Sequence, residues 1–159
     1  MTAKRIHWPK LLGSIVGILL LGSLAGIANS GNITTWYTAL QKPPFTPPGW
    51  VFAPAWTLLY TLMGVSLYLV LQSAGSQLRT KALAVFMVQL ALNLAWSFIF
   101  FYFRQPALAF LEILLLLGFS IWMILLFYRV NPIAAWLQIP YIVWVTFAVV
   151  LNGTIVYLN

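Results

Sequence analysis

The chain has 159 residues, of which 63% are hydrophobic and 6% charged, and its mean hydropathy is +0.98. No soluble domain of this size could cover so much apolar surface, so the composition excludes a water-soluble fold and points to an all-α integral membrane protein. A net charge of +7 suggests a nucleic-acid partner, but the basic residues sit at the ends of apolar runs, the pattern of membrane flanks, and the absence of cysteine excludes disulfides and thiolate chemistry.

Met1 to Lys10 is short and basic (Lys4, Arg5, Lys10), and an apolar run follows from about Leu11 to Ala28. Ala25 and Gly26 near its end give it the look of a signal peptide. Its length, roughly that of a bilayer span, and the pairs Gly13/Gly17 and Gly22/Gly26 suit a packed first transmembrane helix better.

The next stretch organises the rest. Residues 29–51 form a loop, and the segment from Trp36 to Tyr60 holds five of the nine prolines and three of the eight tryptophans. Proline fixes φ and lacks an N–H, so Lys42 to Pro48 is stiff and non-helical rather than a floppy linker. It reads either as an aromatic anchor at the membrane interface or as a rigid lid over a ligand site.

Four further spans follow: about 52–72 with Pro54 in its first turn, 81–103, 106–128 and 132–157. The connections Ser73–Thr80, Arg104–Pro106 and Arg129–Pro132 are short, so neighbouring helices run antiparallel. The expected architecture is one domain over 1–159, a five-helix membrane bundle. Lys4, Arg5, Lys10, Arg79, Lys81 and Arg129 fall on one side and Lys42 and Arg104 on the other. That split predicts a cytoplasmic N-terminus and a loop 29–51 outside.

Three predicted helices carry a polar-aromatic stripe at helical spacing. They are Trp56, Tyr60, Met63 and Leu67; Gln89, Asn93, Trp96 and Phe100; and Tyr141, Trp144, Ala148 and Asn152. Amides in hydrocarbon need partners, so Gln89, Asn93 and Asn152 should face the interior, and for the two asparagines plain interhelical hydrogen bonds and ligand contact account equally well. Headgroup anchoring suits Trp36, Trp136 and Tyr157 but not Trp96 or Trp144. At about 1.5 Å per residue, Trp56, Trp96 and Ala148 lie roughly 6, 10 and 13 Å from the outer helix ends, under the loop. Indole, phenol and amide groups around one small residue, Ala148, suit a large, flat, apolar ligand.

Those residues also carry a resemblance. Trp36-Tyr37, Lys42-Pro43, Pro47-Pro48-x-Trp50, Pro54-x-Trp56 and Leu59-Tyr60 resemble the first-loop signature of the translocator protein family, the tryptophan-rich sensory proteins (TspO/MBR). Gln89-Leu90-Ala91-Leu92-Asn93-x-Ala95-Trp96 with Phe100-Phe101 resembles the family's third helix, and Pro140-Tyr141-x-x-Trp144-x-x-Phe147-Ala148-x-x-Leu151-Asn152 its fifth. The resemblance implies a homodimer and binding of porphyrins and other hydrophobic ligands under the first loop. By position it implies the site Tyr37, Pro47, Trp56, Tyr60, Asn93, Trp96, Trp144, Phe147 and Ala148, with a tetrapyrrole as ligand and no covalently bound cofactor. The C-terminal sterol motif of animal members needs a basic residue after a tyrosine. Tyr157 is followed only by Leu158 and Asn159, so that motif is absent.

The single acid, Glu112, sits inside the fourth span, where the simplest reading is an ion pair with Lys42 or Arg104 and the functional one a proton relay. His7 lies before the membrane, on the side away from the loop, and no cluster makes a metal site. Three functions compete: a tetrapyrrole receptor or sensor that moves or delivers its ligand, a porphyrin-degrading enzyme in which Trp56 and Trp144 matter chemically, and a proton-coupled exporter that needs Glu112 on the pocket face. Self-association is expected through the small-residue face Ala84, Ala91 and Ala95, with Gly13/Gly17 as competitor.

Overall fold

The computed structural model describes residues 6–159, the side chains of Ala28 and Asn29 excepted, so Lys4 and Arg5 lie outside the described residues. Every regular element described is helical: α1 (Trp8–Thr34), α2 (Trp36–Ala39), α3 (Gly49–Leu71), α4 (Gln77–Ser97), a π-helical turn (Phe98–Tyr102), α5 (Pro106–Val130), α6 (Pro132–Trp136) and α7 (Ile139–Leu158). Five spans are long and apolar enough to cross a membrane, with α4 and the π-turn forming one and α6 and α7 another. The protein is an integral, multi-pass membrane protein.

Local chemistry explains where the helix ends differ from expectation. The first helix runs on to Thr34, and the hydroxyls of Ser30, Thr34 and Thr35 along its polar end are satisfied by carbonyls one turn earlier. The expected loop 29–51 therefore shrinks to the strip between Ala39 and Gly49, with α2 as an extra helical turn. Because α3 starts at Gly49, Pro54 sits inside the helix rather than in its first turn. The fifth predicted span breaks in two. Pro140 has no N–H for the Trp136 carbonyl and its ring crowds it, so the chain leaves the helix at Leu137–Gln138. Asn131 starts α6, its Oδ1 accepting from the N–H groups of Ile133 (3.1 Å) and Ala134 (3.3 Å).

The helices close in the order α3, α1, α4, α5, α7, with α1 packed on α3 and α4, α5 on α4 and α7, and α6 on α3 and α5. In lipid, close fit rather than water exclusion holds such contacts. Between α1 and α3 the fit rests on Gly22, under the Tyr60 ring, and on Gly64, where an added Cβ would stand 2.5 Å from the Ile15 backbone. The pairs Gly13/Gly17 and Gly22/Gly26 were expected to mark helix contacts. Only Gly22 does so, Gly13, Gly17 and Gly26 having open space around them. The core is built on Met63, Phe86, Ile113, Leu116, Met123 and Phe127, with Phe86 and Phe127 stacked at 5.8 Å.

Candidate functional site

A second cluster caps the lid end of the bundle. Phe100, Ala109, Leu151 and Ile155 are buried there, and Trp36, Tyr37 and Leu40 pack onto them from above. The π-turn matters here. Its wider winding presents the adjacent residues Phe100 and Phe101 to the same overhead element: Tyr37 meets both edge-on at 6.0 and 5.4 Å, and Trp36 meets Phe100 at 5.7 Å. Trp36 was expected as a headgroup anchor. It turns inward instead, whereas Trp136 and Tyr157 are exposed.

Beneath this roof lies a cavity of about 70 Å³. Tyr37 of α2, Phe52 and Trp56 of α3, and Trp96, Phe100 and Phe101 line one side. Trp144, Phe147, Ala148, Leu151, Asn152 and Ile155 of α7 line the other. Of the nine expected site residues, six meet at this wall: Tyr37, Trp56, Trp96, Trp144, Phe147 and Ala148. Pro47 lies outside it, on a groove that also touches Trp144 and Phe147.

Tyr60 and Asn93 lie a layer deeper and do not line the cavity. Tyr60 Oη donates to Asn93 Oδ1 (2.8 Å), and Asn93 Nδ2 donates to Tyr141 Oη (3.2 Å), knitting α3, α4 and α7 together. Asn93 is thus engaged in hydrogen bonds between helices. Tyr60 also carries Trp56 stacked on it at 5.1 Å, so this floor positions a wall indole.

Sequence reasoning left Phe52, Phe101, Leu151 and Ile155 out of the site, and placed Phe100 and Asn152 on inward stripes without assigning them to it. Ile155 shares Asn152's face one turn on, a periodicity that could have found it. Phe101 could not be found that way, because it depends on the π-turn. Asn152 orients the wall: Trp96 Nε1 donates to its Oδ1 (3.1 Å), and its Nδ2 donates to the Pro106 carbonyl (3.0 Å). Trp96 in turn stacks on Phe100 at 5.1 Å.

The roof is held by polar contacts at its rim. Lys42 Nζ donates to the carbonyls of Tyr37 (2.8 Å) and Thr38 (3.2 Å) and sits 4.8 Å above the Tyr37 ring. Gln41 and Asn159 form a two-way pair: the Gln41 N–H donates to Asn159 Oδ1, and Asn159 Nδ2 donates to the Gln41 carbonyl, both at 3.0 Å. Burial pushes the Tyr37 phenol above its ordinary pKa, so it is neutral at physiological pH.

The ion pair expected of Glu112 does not form. Lys42 is engaged as above, and Arg104 Nη2 donates to Asn32 Oδ1 (2.8 Å). Glu112 is buried inside α5, neither carboxyl oxygen has a hydrogen-bond partner among the described residues, and it does not line the cavity. Gln89 and Gln138 are likewise fully buried, and their side chains have no hydrogen-bond partner among the described residues. Among the described residues no group of His, Cys, Asp and Glu is placed to hold a metal ion.

Fold and site together define a class: a five-span membrane bundle with an aromatic cavity at one end, roofed by the loop between its first two spans. The TspO/MBR family profile matches residues 14–158, and the chain belongs to that family. It is 37% identical over 150 residues to the tryptophan-rich protein TspO of Archaeoglobus fulgidus, covering 94% of this chain and 97% of that one. It is 38% identical over 143 residues to the translocator protein of Sus scrofa (86% and 85% covered). To the tryptophan-rich sensory protein of Cereibacter sphaeroides it is 37% identical over 124 residues (78% and 77% covered).

Proposed function

We propose that the protein is a membrane receptor that binds porphyrins and similar large, flat, apolar molecules in the cavity under α2, and hands them on. The observation that carries this reading is the wall itself: Trp56, Trp96 and Trp144, drawn from three helices, converge with Tyr37 and Phe147 around Ala148. Indole faces suit a planar π-system, and Asn152 and the Tyr37 hydroxyl are the polar groups that would orient it. The names of relatives, a sensory protein and a translocator, agree with a receptor that passes its ligand on.

The cavity is far below the roughly 300–1,000 Å³ of pockets that enclose drug-sized ligands. Its rings fill the space against one another, so binding must move some of them. The exporter reading loses the feature it required, since Glu112 is not on the cavity wall. The degradation reading keeps Trp56 and Trp144 on that wall, where they could supply electron transfer or shield a photoreactive ligand. We also propose a homodimer through α4, where Ala84 and Ala91 face outward.

Titrating the purified protein with protoporphyrin IX, in the dark and in light, tests the reading. Binding should quench tryptophan fluorescence, and the Trp56→Phe/Trp96→Phe/Trp144→Phe protein should bind about tenfold more weakly or worse, a loss of ~1.4 kcal/mol. Unchanged affinity in that folded variant would place the ligand elsewhere. Light-dependent loss of the porphyrin spectrum that needs Trp56 and Trp144 would favour the enzyme.

A further inference from the structure

The ring of spans has one weak joint. Four neighbouring pairs pack backbone to backbone, α3–α1, α1–α4, α4–α5 and α5–α7, while α3 and α7 do not. At the end away from the lid, α6 fills the joint, packing on α3 with Ser66 Oγ donating to the Ala134 carbonyl (2.6 Å). Beyond α6 the joint is bridged by rings. Phe52 and Trp56 meet Trp144 edge-on at 5.9 and 6.4 Å, and Phe45 of the lid strip meets Phe147 at 6.4 Å.

Outside those rings lies a groove of about 460 Å³, lined among others by Pro47, Leu58, Pro140 and Val143. Leu58 and Val143 are 57% and 63% exposed, so the groove opens toward the hydrocarbon. Trp144 and Phe147 line both the groove and the inner cavity. A single layer made of these two side chains therefore separates a chamber too small for the ligand from one within the usual size of ligand pockets.

From this geometry we infer that the ligand reaches the inner cavity sideways from the bilayer, through the α3–α7 joint, with Trp144 and Phe147 as the gate. The inference rests on the porphyrin-receptor reading above and adds the route and the source. A large apolar molecule resides in hydrocarbon rather than water. The lid route would take it past Lys42 and the Gln41–Asn159 pair and require α2 to lift off Phe100 and Phe101. At the joint the barrier is side chains, Trp144 and Phe147 with the rings packed on them, and their rotamer changes are faster and smaller motions than displacing a segment. With the gate swung aside, the groove connects to the cavity and the ligand passes from one into the other.

The test separates route from site. With no native cysteine in the chain, Val143→Cys in phosphatidylcholine nanodiscs can be capped by a bulky maleimide after folding. Protoporphyrin IX uptake is then followed by stopped-flow absorbance. A blocked route slows entry and exit alike, so association and dissociation should both fall about tenfold or more with Kd held within about twofold. The milder Leu58→Phe/Val143→Phe protein should show the same pattern in smaller degree. Locking the lid with a Gln41→Cys/Asn159→Cys disulfide should leave both rates unchanged. Labelled protein exchanging at the unlabelled rate, or exchange stopped by the lid disulfide, would overturn the route. A weaker Kd with unchanged association would make the groove part of the site instead, and would also overturn it. If the unmodified protein takes up no porphyrin, the ligand reading itself falls, and the route with it.

Discussion

Gly64 and Gly13 are the same residue type on adjoining helices, and the structure gives them opposite roles. A Cβ at Gly64 would stand 2.5 Å from the Ile15 backbone, which cannot swing aside as a side-chain tip can, whereas one at Gly13 meets nothing within 4 Å. Gly64→Ala should therefore destabilise the protein by about 1–3 kcal/mol, the usual range for overpacking. Gly13→Ala should be neutral or slightly stabilising, since alanine is the better helix former. Thermal unfolding in detergent reads both, and equal melting temperatures would mean that α1 and α3 do not meet as described. Ala148 poses the same question at the cavity. It is only partly buried and lies between Trp144 and Asn152, so Ala148→Thr puts a methyl and a hydroxyl into the ligand's space rather than into a packed core. Porphyrin affinity should fall several-fold or more while the melting temperature moves less, and undiminished binding would remove Ala148 from the site.

At the scale of the element, α4 has two faces with separate tasks. Gln89, Leu90 and Asn93 are buried toward the interior. Ala84, Met87, Val88 and Ala91 face out and Ala95 is half-buried, so the small-residue face is open to another copy. Close backbone approach along it would give an isologous contact. Ala91→Leu/Ala95→Leu should turn the dimer into a monomer in mild detergent, as measured by light scattering, with porphyrin binding retained. Gly13 and Gly17 on α1 are also exposed, which keeps the competitor alive. A dimer that survives the α4 change but dissociates with Gly13→Leu/Gly17→Leu would move the interface to α1.

For the whole molecule, the charges sort by end. Lys10, Arg79, Lys81 and Arg129 lie at one end of the bundle and Lys42 and Arg104 at the other, with Lys4 and Arg5, outside the described residues, adding to the first group by sequence. The two ends also use their cations differently. Arg79 donates to the Leu71 and Ser73 carbonyls at the end of α3, and Lys81 lies 5.4 Å from the Trp122 ring, whereas Lys42 holds the roof. By the positive-inside rule the first end is expected in the cytoplasm. In intact cells a Lys42→Cys variant should therefore react with an impermeant maleimide, and an Arg79→Cys variant only after lysis. The reverse pattern would invert the topology.

Composition alone determined the class of this protein, because an apolar surface of such extent has no soluble solution, and roughly 20-residue runs between short turns set the five spans. Helical spacing also brought out Trp56, Trp96, Trp144 and Ala148, since a stripe at offsets of three, four and seven survives whatever the helix packs against. Tertiary structure decided what spacing cannot encode. The break before α7 follows from Pro140 acting on a carbonyl four residues back, and the place of Phe101 from a change of helical winding. Glu112 pairs with neither expected cation: Lys42 turns back on α2, to the carbonyls of Tyr37 and Thr38, and Arg104 reaches Asn32 on α1, far away in sequence. Gly64 rather than Gly13 took the close contact because only one of them faces a neighbour. The state of the cavity, its own rings packed against each other under α2, is likewise a property of several helices at once. No stretch of the chain carries it alone, because each ring's position depends on which rotamers the others leave free.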